Sequence, residues 1–549
     1  MSLGRYYHTL RHLRPVQFYG RVAQRLHRPR PDLRPAPPLR GYARPFPLPP
    51  VRRQSLVGPS RFEFLNVERE IADAAGWNDP AADKLWLYNL HYFDDLNAEG
   101  REQREAWHRA LIARWITGNP PGHGNGWEPY PLSLRLVNWT RWALAGHALP
   151  PAAVQSLAVQ ARWLTRRLEY HLLGNHLWTN GKALLFAGTF FDGEEAARWR
   201  TTGLAIVEQQ LAEQVLPDGG HFERSPMYHS IFVEDLLDLV ALAECFPGLL
   251  TEATVTRWRA TISAMLGWLA AMTHPDGDIA FFNDAALGIA AGPKLLRSLA
   301  RTLGVEAAPS AATGLTRLEP SGYLRLAAGE FVMLADVGPI GPDYIPGHAH
   351  ADTLSFELSW RGRRVLGNSG TSCYGTGPQR ERERATAAHN TVSVDDEDSS
   401  EVWHGFRVAR RARPLGLETV ERDGGLHAAC GHDGYTRLPG RPLHRREWLL
   451  QPAGLSVRDE VTGAGEHRAA GFLHVQPGIA VSRGGERSFD LDVPDAGRLR
   501  IAIEPSAAVT LEEGFWAPEF GKLLPRPVIA WRLAGPLPLA AVTTITPPG

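Results

Sequence analysis

The feature that most constrains this chain is a change of hydrophobic period near residue 315. From about residue 80 to 305, apolar residues recur every three to four positions, as Val233, Leu236, Leu237 and Val240 do in FVEDLLDLVALAE. That is the one-sided pattern of an amphipathic helix. Similar runs occupy 102–117, 132–148, 152–172, 180–191, 203–215 and 255–273, divided by segments such as GNPPGHGNG and LPDGGHF that stop helices. Beyond 315 the period falls to two. In TLSFELSWRGRRVLGNSG, Leu354, Phe356, Leu358 and Trp360 alternate with Ser355, Glu357 and Ser359 ahead of an Arg-Gly-Arg turn. NTVSVD, REWLLQ, GLSVRDEV, RLRIAIE and AVTTIT continue the alternation. Helices followed by strands predict an all-α domain and an all-β domain in tandem. No Rossmann or P-loop glycine pattern argues for a βαβ fold.

The segments expected are a basic Pro/Arg-rich arm over 1–60, an α domain over 61–312 and a β domain over 313–549. The chain has 549 residues, with 59 Lys and Arg against 59 Asp and Glu. That balance gives no sign of a nucleic-acid surface. The arm is the exception: Arg5, Arg11, Arg14, Arg21, Arg25, Arg28, Arg30, Arg34 and Arg40 face a single acid, Asp32, over the same stretch. It reads either as an amphipathic arm lying on the body or as a contact for an anionic partner such as a membrane surface or polyanionic glycan. Residues 29–60 read as an extended connector without a core of their own. Cys245, Cys373 and Cys430 have no paired spacing and fit a reducing compartment. With no apolar signal-like run at the N-terminus and no transmembrane-length stretch, the expected location is cytoplasmic.

Three segments carry candidate chemistry. GNHLWTNGKALLFAG sets an Asn-His pair at a helix start, which suits either capping or a site. PDGGHFERSPMYHSIFVEDLL sets Tyr228 and His229 at the start of the next amphipathic helix, where a tyrosine is also an ordinary core residue. GHAHADTLSFEL holds His348 and His350 one residue apart, on one side of a strand-like segment, with His389 expected on another strand. Two such imidazoles and a carboxylate are the makings of a zinc site.

Taken in order, GWEPYPLSLRLVNW, GNHLWTNGKALLFAG, DGGHFERSPMYH, GHAHADTLSFEL and RATAAHNTVSVD followed by VWHGFRVARRA resemble the heparinase II/III-like polysaccharide lyases over most of the chain. The resemblance implies an N-terminal (α/α) toroid followed by a C-terminal antiparallel β-sandwich, with an acidic polysaccharide or oligosaccharide bound between them. It implies β-elimination at a 4-linked uronate, in which the carboxylate is neutralised, the C5 proton removed and the departing O4 protonated. Asn175 and His176 match the positions that hold the carboxylate. Tyr228 matches the tyrosine that protonates the leaving oxygen, and His348 the histidine that serves as base or assists it. A phenol of ordinary pKa about 10 needs a neighbouring cation to act as a base, and His176, His229 or an arginine is expected to supply it. Trp127, Arg135, Trp178, Lys182 and Glu223 are further expected substrate contacts. The resemblance also assigns His350 and His389 to a structural zinc site. Asn368-Ser369-Gly370 stands where the family carries Asp-Ser-Gly, so Asn368 binds weakly, Asp352 or water substitutes, or the site is empty.

Two other readings remain at this point. A glycoside hydrolase on the same scaffold needs two carboxylates flanking the bond, and Glu223 with Asp218 or Glu234 is the pair available. A non-catalytic glycan-binding or exopolysaccharide-accessory protein is the other.

Overall fold

The computed structural model describes residues 3–422, 424–504 and 507–548. Helices fill the first half: α1 (Leu3–Leu10), α2 (Pro15–Leu26), α3 (Lys84–Tyr92), α4 (Glu105–Gly118), α5 (Pro129–Leu144) and α6 (Pro151–Thr165). They continue as α7 (Gly174–Phe190), α8 (Glu194–Gln214), α9 (Pro226–Cys245), α10 (Glu252–Ala271) and α11 (Pro293–Thr302), with a short α12 (Pro378–Arg384) far downstream. Each helical run read from the sequence is present, with ends displaced by up to nine residues, the largest shift being at the start of the 203–215 run, where α8 begins at Glu194. Ser225 caps α9 by accepting the Tyr228 N–H at 3.1 Å, and Pro226 takes the first helical position, where its missing N–H costs nothing. None of the helices among the described residues is long and apolar enough to cross a membrane.

A small hairpin, β1 (Arg61–Phe64) and β2 (Val67–Glu70), precedes α3. After residue 313 the strands β3 (Gly314–Leu318), β4 (Tyr323–Ala328), β5 (Phe331–Asp336), β6 (Phe356–Trp360) and β7 (Arg363–Leu366) form one antiparallel sheet in sequence order. An eight-stranded antiparallel sheet spans Pro414–Thr546 and a four-stranded one brings Val392–Val394 beside Glu466–His474. Leu326, Phe331, Phe356 and Trp360 of the first sheet share a core with Trp448, Val457, Leu491 and Ile545 of the second and with Val394 and Trp531 of the third. The strand β6 is buried on both faces. Its polar positions turn toward the helical half, where Glu357 accepts from His274 at 2.9 Å and from the N–H of Asn368 at 2.7 Å.

The helical half has its own core, from Phe46 to Val305, which Phe520 enters from the β half. The arm is therefore less independent than its composition suggests: Phe46, Leu48 and Leu56 are buried in that core, and only the first thirty residues lie on the outside as helices. Where α7 and α8 cross, glycines replace side chains. A Cβ on Gly188 would sit 2.2 Å from the Arg200 nitrogen, and one on Gly203 would sit 2.5 Å from that of Leu185. The two backbones touch there, and α7 carries Asn175 and His176 at its other end. Gly188→Ala is expected to destabilise the protein by about 1–3 kcal/mol through overpacking, measured as a lowered thermal midpoint. Gly41→Ala, where nothing lies within 4 Å, should melt like the parent protein.

Candidate functional site

The site forms where the start of α7, the start of α9 and the 347–352 segment meet. GHAHAD is not a strand. The segment from Gly347 to Ser355 is irregular, Leu354 takes φ 65°, and β6 begins only at Phe356. His389 likewise lies in a loop just ahead of Val392. The two histidines of GHAHAD thus do not share a strand face. They converge instead on one carboxylate.

That carboxylate is Asp284, in the FFNDAAL segment after α10, fully buried. Its Oδ2 accepts from His348 Nδ1 at 2.8 Å and from Arg380 Nη2 at 2.7 Å. Its Oδ1 accepts from His350 Nε2 at 2.8 Å, from Thr371 Oγ1 at 3.2 Å and from the second Arg380 nitrogen. Burial alone would raise its pKa, but Arg380 and the two imidazoles outweigh that and hold it well below the carboxylate range. An ionised carboxylate can only accept. A neutral His348 must therefore donate from Nδ1, leaving a lone pair on Nε2, which lies 3.7 Å from Glu223 Oε2.

Beside it the Tyr228 and His348 rings lie 4.0 Å apart between centroids. The Tyr228 hydroxyl is 2.8 Å from that of Tyr374, which is itself 3.5 Å from His348 Nδ1. Burial, with Tyr374 and Asp284 nearby, pushes the Tyr228 phenol well above its ordinary pKa. The cation expected beside this phenol is absent from the described contacts. His229 faces away, stacked 4.3 Å from Trp268 and bonded to the Met265 carbonyl at 2.9 Å, and burial pushes it down to about 3. Tyr228 is set up as a neutral proton donor.

His176 and Asn175 open α7 through a strained entry, with Leu173 at φ 65° and Gly174 at φ 51°. A half-buried His176 places Nδ1 3.1 Å from Glu169 Oε1 and packs 4.6 Å from Tyr130. Burial disfavours its charge, but the charge and hydrogen bond of Glu169, with Glu223 and Glu128 behind it, prevail and raise its pKa. Glu223 joins the two halves of the site. One of its oxygens lies 3.4 Å from where a Cβ on Gly174 would be, the other beside His348, and burial raises its pKa.

Four expected substrate contacts are instead structural. Trp127 is buried, its N–H donating to the Asn119 carbonyl at 3.1 Å, and Trp178 is stacked on Phe232 at 4.0 Å with its N–H on Asp235. Neither presents a face to a sugar. Arg135 is fully buried and donates to the carbonyls of Gly126 at 2.7 Å and His91 at 3.2 Å, so it ties the GNGWEP turn to α3. Lys182 lies between Asp235 at 2.5 Å and Asp238 at 2.6 Å. A buried charge needs such partners, and long side chains at helical spacing go to the core more readily than to a cleft.

The expected zinc ligands meet only in part. His350 Nδ1 and His389 Nε2 face one another at 3.2 Å. The third, Asn368, spends its carbonyl on the Asn390 N–H at 3.2 Å and its amide on Ser355. Among the described residues no three His, Cys, Asp or Glu side chains are grouped to hold a metal. Two imidazoles do not make a three- or four-ligand zinc site, so the residues present do not fit that ion. Burial keeps both rings neutral, His350 down to about 4 and His389 well below its usual range. His389 donates from Nε2 to His350 Nδ1, and its own buried Nδ1 has no hydrogen-bond partner among the described residues.

Sequence reading missed Asp284, Arg380, Tyr374 and Glu169. Asp284, Arg380 and Tyr374 act on partners that only the fold brings near, Tyr374 being 146 residues from Tyr228 and Arg380 96 from Asp284, whereas Glu169 is seven residues from His176 and reads as part of a helical run.

Residues 311–544 match the family model of the heparinase II/III-like C-terminal domain, and residues 148–301 that of the heparinase II/III N-terminus. A heparin-sulfate lyase of Bacteroides stercoris is 28% identical over 261 residues, 42% of this chain and 37% of that lyase, so the chain spans little more than a third of that relative. FtsZ-localized protein C of Caulobacter vibrioides is 27% identical over 448 residues, 76% of this chain and 71% of that protein. A crystal structure of heparinase III superposes with a TM-score of 0.68 at 18% identity, covering 88% of this chain and 79% of that one, which establishes likeness of fold. Motif order, the two matched domain models and the shared fold agree: the chain belongs to the heparinase II/III-like family.

Proposed function

We propose that the protein is a polysaccharide lyase that cleaves a 4-linked uronic-acid glycan by β-elimination. In this reading residues 61–312 form an (α/α) toroid, 313–549 a β-sandwich, and 1–60 an arm laid across them. The observation that carries the proposal is one cleft holding a neutral phenol, Tyr228, against an imidazole, His348, whose Nδ1 is fixed by Asp284. A cationic His176 with the Asn175 amide stands ready for a carboxylate.

The steps follow from those groups. His176 and Asn175 neutralise the uronate carboxylate, which makes C5–H more acidic. His348 Nε2 takes the C5 proton, the C5–H electrons form the C4=C5 double bond, and the C4–O4 bond breaks. Tyr228 gives its proton to O4, with Tyr374 at 2.8 Å to share the phenolate charge. Because base and acid are stacked, both reach the sugar from one side. That suits a uronate whose C5–H and C4–O4 bonds lie on the same face, as in a glucuronate.

A second reading is a glycan-binding protein without turnover, since the chain aligns over 76% of its length with FtsZ-localized protein C, whose name describes a location. Purified protein offered a panel of uronate polymers distinguishes the two. The lyase releases 4,5-unsaturated ends that absorb in the near ultraviolet, whereas binding with no new chromophore on any polymer would favour the second reading.

Within the lyase reading, Tyr228→Phe should lower kcat by at least about 100-fold with the melting curve little changed, and His348→Ala should lower kcat as far in the fraction that stays folded, because it also removes a donor to Asp284. His350→Ala removes a buried partner of Asp284 and should instead lower the melting temperature, with activity surviving in the folded fraction.

The pH dependence follows from His176. Its pKa is raised, so its charge is present below that value and lost as pH rises through it. KM for a uronate substrate is therefore expected to climb on the alkaline side. Glu169→Gln removes the main group favouring the charge and should bring that climb to lower pH. Profiles of the two enzymes that coincide would remove His176 from the carboxylate site.

A further inference from the structure

Half of the large apolar side chains exposed on the described surface, ten of twenty, fall within the first 42 residues. Seven of them belong to α1 and α2, where they form stripes. On α1, Leu3, Tyr7 and Leu10 recur at i, i+4 and i+7. On α2, Phe18, Val22 and Leu26 recur at i, i+4 and i+8, with Tyr19 beside them, and all seven are at least 43% exposed. The opposite faces are docked. Trp403 donates to Thr9 at 3.1 Å and packs edge-on to Tyr6. Gln17 donates to the Tyr344 carbonyl at 2.9 Å, Gln24 to the carbonyls of Arg167 and Leu168 at 3.2 Å, and Gly20 lies against His171. The stripes therefore point away from the body because their helices are held from behind.

The charge around the stripes has one sign. From Leu3 to Pro31 there is no Asp or Glu. Arg5 and Arg14 reach Glu401 and Glu213 on the body. Arg11, Arg21, Arg25, Arg28 and Arg30 are exposed and form no ion pair among the described residues. At 100° per residue, Arg21 and Arg25 fall along one edge of the Phe18–Val22–Leu26 stripe and the docked glutamines on the far side. Apolar and aromatic side chains flanked by unpaired arginines, in a helix lying flat on its protein, are the makings of an interfacial helix. The rings and aliphatic chains enter the boundary region and the guanidinium groups meet lipid phosphates.

We propose that α1 and α2 form a docking surface for an anionic lipid bilayer, so that the protein binds a membrane peripherally. Charge complementarity selects this occupant over a second copy of the chain, because two such faces would bring their unpaired arginines together. The docking also has a direction. Arg14 packs 3.6 Å from Tyr344, four residues ahead of His348, and α1 meets Trp403, three residues ahead of Phe406, whose ring is 6.1 Å from that of His348. The proposed membrane-facing helices are thus tied to the two segments that lead into His348 and Phe406. The proposal does not depend on whether the Tyr228–His348 cleft catalyses.

The full chain is tested by flotation with vesicles of phosphatidylcholine alone and of phosphatidylcholine mixed with phosphatidylglycerol, at low and at physiological salt. Binding is expected to the mixed vesicles only and to weaken as salt rises. Arg21→Glu with Arg25→Glu should weaken it by at least about tenfold, and so should Phe18→Ser with Leu26→Ser. These side chains are exposed, so both variants should melt like wild type. Failure of the wild type to float with the mixed vesicles would overturn the proposal, as would variants that float like wild type. A concentration-dependent dimer that ignores vesicles and is lost with Phe18→Ser and Leu26→Ser would assign the stripe to a second copy instead.

Discussion

The Asp284 carboxylate is the interaction on which the rest of the site depends. It sits at zero exposure and is approached by one guanidinium, two imidazoles and a hydroxyl, which together fill its accepting positions. A carboxylate so placed is stable only while those donors are present, since breaking a buried pair by removing one partner costs about 3–5 kcal/mol. The donors come from three distant stretches, Gly347–His350, Thr371 and Arg380. One carboxyl on the segment leaving α10 therefore gathers loops of the β half onto the edge of the helical half. The same contact sets the tautomer of His348. Fold and chemistry share a single charge there, and the backbone agrees with it, because the Asp284 N–H is bonded at 2.9 Å to the His348 carbonyl.

Other polar contacts hold the halves in the register that the cleft requires. His274, just past α10, lies between Glu357 and Ser359 of β6 at 2.9 and 2.8 Å. Trp268 reaches Ser321 at 2.8 Å, and Asp218 accepts from the N–H and hydroxyl of the same serine. Between them a small apolar cluster of Trp268, Met272, Phe282, Tyr323 and Leu334 excludes water. Area burial glues without direction, whereas these hydrogen bonds allow few relative orientations of α10 and the first sheet. Tyr228, anchored by Ser225, whose hydroxyl donates to the Asp284 carbonyl at 2.5 Å, inherits that orientation.

The sequence disclosed what is periodic or local. The switch from a period near four to two located the change from helices to sheets, because burial on one face leaves that mark whatever the topology. Asn175, His176, Tyr228 and His348 stood in recognisable segments; Tyr228 and His348 stack at 4.0 Å, and Glu223 lies between His348 and the start of α7 that carries the other two. Two kinds of residue escaped. Asp284, Tyr374 and Arg380 act across long sequence separations and belong to no pattern, so only the fold reveals them. Trp127, Trp178, Arg135 and Lys182 are of types that bind sugars and anions, but the last three stand at helical spacing that is also that of a core, Trp127 closes the turn ahead of α5, and all four are buried. GHAHAD misled for a related reason. The alternation of TLSFEL does not continue backward over GHAHAD, whose conformation is set by the Asp284 contact and by Leu354 in the left-handed region.

The same accounting bears on what the cleft can hold. The cations nearest the reacting groups are already committed: Arg380 to Asp284, Lys182 to Asp235 and Asp238, and Arg52 to Glu234 at 2.9 Å. Acids are plentiful, with Glu169 and Glu223 against His176 and His348, and Glu128 bonded to the Tyr88 hydroxyl and to Lys84. Among the described contacts of His176, Tyr228 and His348 there is no unpaired guanidinium, so a heavily sulfated chain would bring charge against these acids at a cost that grows as water is excluded. One carboxylate per sugar is different, because the very acids that would repel further charge also raise the pKa of His176. For the proposed lyase the glutamates are therefore compatible with an acidic substrate, provided that its charge is a single uronate carboxylate placed at the start of α7.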